Sequence, residues 1–318
     1  MASRAKSGRL STVNGDELLE RLDAWSLGRV RDAVVALAAP TIWLHVQRAA
    51  EEDIPVGASK VGGLPDLPEG IEWPAWHEPM AFLAQVNLAE VAPHDAEQVL
   101  PDHGLLSFFY ETDGEPLYAE LWRQRQPRRA EDYPKRPDPR SWRVLYLPDS
   151  SAPLARRAVP SEVNRRARYA PCSVRCSPEL SIPDPDTLDL LPLGLGEAER
   201  RAYINLYCDD WSPNRGSWDD PGNRLLGHPF TLGSGSSLVE CDYAARGAYS
   251  DLWTRIPEQD VPIVGREAAR RWRLLLQIDS GEAAEMDWAG GGVLHFCIEH
   301  SALAQRDFSR VWLNMQFM

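Results

Sequence analysis

Lys60, Gly62 and Gly63 form the first group of residues whose types and spacing could do chemistry. A lysine ammonium beside a glycine turn can hold an anion, either a phosphate group or the carboxylate of a partner. The surrounding residues do not match GxxxxGKS/T or GxGxxG, the glycine patterns that cradle nucleotide phosphates, so a nucleotide site is not indicated. A surface lysine that precedes an ordinary turn is the competing interpretation.

Tryptophan, histidine and aspartate residues in two loops form a second group, which could contact a ligand or a partner protein. Tryptophan is enriched at interface hot spots, and neighbouring carboxylates can bind a cation or a basic partner. The second loop lacks EF-hand spacing, because proline and arginine stand where oxygen ligands are needed, and a solvated acidic loop is the alternative. The candidates in the two loops are Trp73, Trp76, His77, Asp209, Asp210, Trp211 and Trp218.

Cysteine and histidine residues are too scattered in the sequence to predict a metal site. Cys172 and Cys176 form a CxxxC pair, but no second pair is available to complete a zinc centre. His295 and Cys297 share one face of a predicted strand, and no third residue that would orient a nucleophile accompanies them. We therefore predict no catalytic residue, no metal and no cofactor, and the balance is against an enzyme.

The charge of the chain limits the partners that it can have. Its 318 residues include 47 acidic and 34 basic ones, and this net charge of −13 disfavours nucleic acid as a general partner. Residues 122–171 are the exception, because 13 basic residues stand there against five acidic ones. A nucleic-acid contact is expected only through this Arg-rich segment, for which a solvated loop is the preferred interpretation.

Cysteine count and hydropathy predict a cytoplasmic protein. Five cysteines are an odd number in a long chain and do not suggest a disulfide framework. No apolar stretch approaches the ~20 residues that a membrane-spanning helix requires, and the N-terminus lacks the apolar core of a secretory signal. We therefore expect reduced thiols and no membrane contact.

The elements that would position these residues are two N-terminal helices followed mostly by strands. Residues 15–39 have helical spacing, with Ser26 as a candidate cap for the second helix, and residues 41–46 alternate as a strand does. The runs Phe82–Asn87 and Leu274–Asp279 are alike, and a second predicted strand follows 19 and 15 residues after their glutamines. This similarity favours an internal duplication of a strand–loop–strand unit, although two unrelated buried hairpins would also look alike.

Several blocks of sequence together carry a family resemblance. They occur in this order: SKVGGLPDLPEGIEWP and MAFLAQVNL within 59–88, GLLSFF at 104–109, LLGHPF at 225–230, and LLLQIDS, GGGVLHF and RDFSRVWLNMQ within 274–318. In this order they resemble the YwqG-like family, whose members are bacterial proteins of unknown function. The resemblance covers roughly residues 40–318.

The resemblance implies an α+β fold with a mixed or mostly antiparallel sheet and flanking helices. It divides the chain into an N-terminal helical segment at 1–40 and a YwqG-like domain at 41–318, with the Arg-rich segment 122–171 as an insertion. No catalytic residue is transferred by it. Some family members look like components of contact-dependent toxin–immunity neighbourhoods, which implies a protein-binding role.

Two hypotheses about function follow. The first is a non-enzymatic module that binds a partner protein, in a toxin-neutralising or regulatory role, through its tryptophan-bearing loops and acidic surface. The alternative is a small-ligand-binding protein or enzyme that uses the Gly/Pro-rich loop at 59–79, since ligand sites often lie in such loops between apolar strands. Convergence of the loops at 60–77 and 209–220 would support a common site.

Overall fold

The computed structural model describes residues 15–111, 138–148, 153–185, 190–210, 222–232, 236–248, 267–268 and 270–317. Predictions that concern Trp211, Trp218 or residues 122–137 lie outside this part of the chain. None of the described helices is both long enough and apolar enough to span a lipid bilayer.

Twelve strands lie within the described ranges. Their bounds are β1 (Ala39–Arg48), β2 (Lys60–Val61), β3 (Asp66–Pro68), β4 (Ala81–Asn87), β5 (Leu105–Tyr110), β6 (Trp142–Leu147), β7 (Leu154–Arg156), β8 (Cys172–Ser181), β9 (Asn223–Leu225), β10 (Trp272–Asp279), β11 (Val293–Glu299) and β12 (Trp312–Gln316). The predicted strands at 41–46, 82–87, 105–110 and 274–279 are confirmed as parts of β1, β4, β5 and β10.

Helices are short in the described part of the chain. Their bounds are α1 (Gly15–Ala24), α2 (Arg31–Leu37), α3 (Leu88–Val91), α4 (Glu197–Asn205), α5 (Ser237–Ala245) and α6 (His300–Ala304), and a π-helical turn follows α4 at Leu206–Asp210. The predicted cap at Ser26 is wrong. Ser26 takes a positive φ of 61°, and the bonds Ser26 N–H to Asp23 O and Leu27 N–H to Leu22 O close the end of α1 instead.

Ten of the strands form one antiparallel sheet in the order β12-β11-β10-β9-β1-β8-β2-β4-β5-β6, and β3 pairs with β7 in a small second sheet. The two edges of the large sheet approach each other. The Trp142 indole on β6 donates to the carbonyl of Val311 at 2.8 Å, and its ring lies 5.4 Å from that of Trp312 on β12. The sheet therefore curls into a nearly closed barrel, and the fold is α+β with an antiparallel sheet.

The barrel consists of two halves with the same strand order. We call them the β2 half (β8, β2, β4, β5, β6) and the β9 half (β1, β9, β10, β11, β12). β1 and β8 pair over ten residues, and His45 stands opposite Arg175 in this register. β1 comes before β2 in the sequence but pairs with β9, and β8 comes before β9 in the sequence but pairs with β2. The two sequence repeats therefore exchange their first strands.

The interior of the barrel is apolar, and other elements cover its outer face. Phe108 on β5 and Phe296 on β11 meet edge to face with their ring centroids 5.1 Å apart, and both are fully buried. Outside, α1, α2 and α4 pack as one cluster around Leu22 and Tyr203, while the loop after β2 covers Phe109. Burial of both faces explains the continuous apolar runs in these strands.

Candidate functional site

Gln85 on β4 organises the polar residues on the outer face of the β2 half. Its amide Nε2 donates to the Ala58 carbonyl at 2.8 Å and to Asp66 Oδ2 at 2.7 Å, and its Oε1 accepts from the Asp66 N–H at 2.9 Å. Gln85 also lies opposite Lys60 in the β2–β4 pairing. One amide thus fixes the chain on both sides of Lys60.

Lys60 is fully buried in a cluster of four charges. Its Nζ lies 3.1 Å from Asp66 Oδ2 and 3.2 Å from Glu51 Oε1, and the Arg156 Nε lies 3.1 Å and 3.0 Å from the same two carboxylates. Burial by itself raises the pKa of Asp66, but hydrogen bonds from the Gly57 N–H and Gln85, with the nearby Lys60 charge, hold that pKa below its usual value. Two positive and two negative groups balance one another in this cluster.

These contacts bear on the prediction that Lys60, Gly62 and Gly63 hold an anion. An anion at the Lys60 ammonium would have to displace Glu51 or Asp66. Both glycines have positive φ, 67° and 71°, and a Cβ on Gly62 would lie 2.2 Å from the carbonyl oxygen of Ala170. Turn geometry and close packing account for the two glycines.

Trp73, Trp76 and His77 pack against their own chain. The Trp73 indole donates to the Met80 carbonyl at 2.9 Å, and its ring meets Phe109 edge to face at 5.6 Å. Trp76 lies 4.0 Å from the His77 ring, and the Arg140 guanidinium lies 5.0 Å from the Trp76 ring. Both tryptophans are half-buried, and His77 is exposed.

Asp209 and Asp210 end the π-helical turn after α4, and the loop that follows them begins outside the described residues. Convergence of this loop with the loop at 60–77 therefore stays a prediction. Within the described ranges, no group of three or more histidine, cysteine, aspartate or glutamate side chains is arranged to hold a metal ion. Burial raises the pKa of the Cys176 thiol to about 11, which disfavours the thiolate that a metal or an electrophile would need.

The β9 half repeats the hydrogen bonds of Gln85 through Gln277 on β10. Gln277 Nε2 donates to the Gly222 carbonyl at 2.8 Å, and its Oε1 accepts from the Phe230 N–H at 2.8 Å. Gly222 and Phe230 stand two residues before and six residues after Arg224, as Ala58 and Asp66 do around Lys60. The equivalence therefore places Arg224 where the other half has Lys60.

His295 on β11 joins Gln277 to helix α5. Its Nε2 lies 3.2 Å from Gln277 Oε1, which acts as an acceptor, and its Nδ1 lies 2.8 Å from the Ser237 hydroxyl. A serine bonded to an imidazole also occurs in nucleophilic catalysis. Here both residues are fully buried, and burial with the nearby Arg224 charge lowers the pKa of His295 to about 3, so the pair links α5 to the sheet.

This burial of neutral His295 predicts a pH-dependent stability. Between pH 6.5 and pH 3 the unfolded chain binds a proton at His295 that the folded chain does not, so its contribution is complete above pH 6.5 and is lost as the pH falls. We expect the free energy of unfolding to decrease by about 2 kcal/mol from this residue between pH 7.5 and pH 5. Urea unfolding at several pH values should show a smaller decrease for His295→Gln than for the wild type. An equal slope in the wild type and His295→Gln would contradict the assignment.

A cavity of about 500 Å³ lies where β1, β9 and the chain after β10 meet. It is half open to solvent, and its apolar wall includes Leu44 and Val61, which belong to the interior core cluster, and Val46, which packs against that cluster. We call it the cleft. Its lining is completed by Trp43, His45, Gly222, Asn223, Asp279, Ser280, Gly281, Glu282, Ala283, Ala284 and Met286.

Residues 280–287 form one wall of the cleft and are tethered both to the chain that leads into β8 and to the end of β1. The carbonyl of Ala284 accepts from the Ala170 N–H at 2.9 Å, and Glu285 forms an ion pair with Arg48 at 2.7 Å on the rim. Gly281 and Met286 exchange backbone hydrogen bonds that close the turn. This wall, which we call the flap, is therefore a defined turn.

The equivalent place in the β2 half has no such flap. Asn87 ends β4, and Asp279 ends β10. The Asn87 N–H donates to the Ser59 hydroxyl just before β2, and the Asp279 N–H donates to the Asn223 side chain at the start of β9. After Asn87 the chain forms helix α3, which Asn87 caps. After Asp279 it forms the flap, and the cleft is the result of this difference.

The family to which the chain belongs follows from a comparison of its sequence with known families. A family described as "Domain of unknown function (DUF1963)" matches residues 59–316, from the residue before β2 to the end of β12. This chain belongs to that family. No curated protein matches the chain significantly.

The DUF1963 match and the cleft do not coincide fully. Val61, Asn223 and the flap lie within the matched residues, whereas β1, with Trp43 and His45, precedes them. The cleft of this DUF1963 member therefore also depends on a strand from before the match.

Among the residues of the cleft, only the turn around Val61 was predicted from the sequence to be part of a site. Trp43 and Asn223 belong to no motif, Asp279 occurs only in the block LLLQIDS and the repeated run Leu274–Asp279 with no sign of a site, and the cleft forms only where the exchanged strand β1 meets the flap. One signal was available in the DUF1963 sequence. The repeat aligns the neutral Asn87 with the charged Asp279, a difference that packing of a buried strand end does not require.

Proposed function

We propose that the protein binds a small polar molecule in the cleft between the two halves of the barrel. The observation that carries this proposal is a half-open cavity of about 500 Å³ with a mostly polar surface, to which Leu44, Val46 and Val61 add an apolar wall. Ligand pockets have this size, and they often lie where two structural units meet, while the polar surface of this one suits a polar molecule. Val61 is the contribution of the predicted ligand loop at 59–79.

The repeated structure also supports a specialised role for the cleft. We infer that the two halves arose by internal duplication, because the glutamine hydrogen bonds and the exchange of first strands are the same in both. The β2 half contains the buried ion cluster around Lys60, and helix α3 follows its strand β4. In the β9 half, the flap follows the equivalent strand β10 and leaves the cleft open. The β2 half therefore contributes to stability, and the β9 half contributes to ligand binding.

The protein-binding hypothesis, with its toxin-neutralising or regulatory role, stays a prediction with less support. Among the described residues the large apolar side chains are covered, with Val56 as the exception at 53% exposure. The half-buried Trp73 and Trp76 pack on the protein itself, which weakens the argument from exposed tryptophans. The narrower YwqG-like assignment, a cytoplasmic location and a nucleic-acid contact through 122–171 also stay predictions.

A variant that blocks the cleft tests the proposal. Gly281 lines the cleft, has no positive φ, and a Cβ there would meet no atom within 4 Å, so Gly281→Phe adds bulk without straining the backbone. Wild-type protein and Gly281→Phe would each be equilibrated with a metabolite extract, and the retained small molecules measured by native mass spectrometry. We expect a compound that Gly281→Phe binds about 5- to 150-fold more weakly, because overpacking costs of ~1–3 kcal/mol correspond to that range of affinity.

Gly281→Ala is the matched control, since its single methyl group fits the open space and should leave binding unchanged. If wild type and Gly281→Phe retain the same compounds in the same amounts, or if neither retains any, the proposed function is wrong.

A further inference from the structure

We propose that the ligand of the cleft is a short extended peptide whose main chain pairs with strand β1 at Val46; this rests on the ligand-binding role proposed above. β1 continues to Arg48, but its pairing with β9 ends where Leu44 meets Asn223. Val46 lies two residues beyond that last pair and lines the cleft. The cleft therefore occupies the place beside β1 where a longer β9 would lie.

The register of β1 with β8 shows which way the Val46 backbone points. The Ala49 N–H donates to the Pro171 carbonyl at 3.1 Å, and opposite residues of an antiparallel pair alternate between bonded and non-bonded pairs. Odd-numbered residues of β1 therefore bond to β8, and the N–H and carbonyl groups of Leu44 and Val46 point away from β8. Leu44 pairs with Asn223 on that side, whereas no described residue pairs with Val46 there.

A peptide supplies the groups that this strand edge requires. An unpaired N–H and carbonyl on a strand edge can bind the carbonyl and N–H of an added extended chain, which is a common mode of peptide recognition. At the far end of the edge, Arg48 forms its ion pair with Glu285 of the flap at 2.7 Å. This contact closes the rim, so the cleft suits a short peptide and not a long strand.

The apolar wall of the cleft predicts one side chain of the peptide. Residues that stand opposite each other in antiparallel strands have their side chains on the same face of the sheet. The side chain of Val46 packs against the interior core cluster, and Leu44, Val61 and Met286 belong both to that cluster and to the lining. We therefore expect an apolar residue, such as valine, at the peptide position opposite Val46.

The capped tripeptide N-acetyl-Ala-Val-Ala-amide tests this pairing, with an analogue that carries N-methylvaline as its matched control. The methyl group removes the N–H that would donate to the Val46 carbonyl and keeps the valine side chain. Affinities would be measured by NMR titration of the isotope-labelled full-length protein. We expect the analogue to bind roughly 2- to 13-fold more weakly, the factor that corresponds to the loss of one hydrogen bond.

Hydrogen exchange locates the bound peptide on β1. Exchange of the Val46 amide should slow about tenfold when the peptide is present at about ten times its Kd, because only the free protein exchanges there. The Gln47 amide is the internal reference, since its N–H points to β8 and should exchange at an unchanged rate. Gly281→Phe, which fills the cleft, should weaken the peptide by the same factor as the extract compound.

Four results would overturn the peptide class. They are no binding of the capped peptide to the wild type, equal affinity of the peptide and its N-methyl analogue, unchanged exchange at Val46, and equal affinity for the wild type and Gly281→Phe. Each of these leaves the ligand-binding role intact if the extract experiment still yields a compound that Gly281→Phe loses. Absence of that compound is the separate failure of the proposed function.

Discussion

Replacing Asp66 with alanine is expected to destabilise the protein by about 3 to 5 kcal/mol, because Glu51 alone is then left to balance two buried or half-buried positive charges, Lys60 and Arg156. Lys60 has 0% exposure, and its ammonium lies 3.1 Å from Asp66. The change also removes the acceptor for the Gly57 N–H and for Gln85. Urea unfolding at pH 7 would measure the difference.

Two further variants separate charge from packing. Lys60→Met combined with Asp66→Asn removes both charges, and it should be more stable than Asp66→Ala because no buried charge is left unpaired. Arg201→Ala breaks an exposed ion pair with Glu197 and should cost less than about 1 kcal/mol. If Asp66→Ala were as stable as Arg201→Ala, the buried cluster would not have the role described for it.

Gly62→Ala is the second substitution expected to have a large effect, with a loss of about 2 to 5 kcal/mol. Its φ of 67° costs ~1–2 kcal/mol for a residue with a Cβ, and the added carbon would lie 2.2 Å from the Ala170 carbonyl oxygen. The obstacle is backbone leading into β8, so relief requires the strand to move, which adds the cost of overpacking.

Gly70→Ala isolates the first of these two costs. Gly70 also has a positive φ, 88°, but a Cβ there would meet no atom within 4 Å. We expect it to lose only the ~1–2 kcal/mol of backbone strain. Urea midpoints at an unchanged m-value would compare the two, and similar losses for Gly62→Ala and Gly70→Ala would show that β8 does not pack as closely as described.

The strands of the barrel were accessible from the sequence because their pattern is local. The runs Phe82–Asn87 and Leu274–Asp279 predicted two strands and a repeat, and both strands are present with equivalent glutamine contacts. Their order in the sheet was not predictable, since the exchange of β1 and β8 between the halves leaves no trace in the pattern of either strand.

The polar sites depend on partners that are distant in the sequence. Lys60 was a plausible anion site on local evidence, but Glu51 and Arg156 complete its charge cluster, and Arg156 comes from the Arg-rich segment. The cleft depends on geometry of the same kind, because Trp43 and Asp279 meet only after the barrel forms. Residue type and spacing therefore identified the glycine turn. The charges around that turn and the cleft could be recognised only in the folded structure.

The position of the bound molecule tests the central claim most directly. A crystal structure of the wild-type protein with the compound retained from a metabolite extract should place it between Asn223, Asp279 and the flap at 280–287. The same compound should be absent from crystals of Gly281→Phe grown under the same conditions. A compound that lies elsewhere on the protein, or that occupies both proteins equally, would contradict the assignment of the cleft as the ligand site.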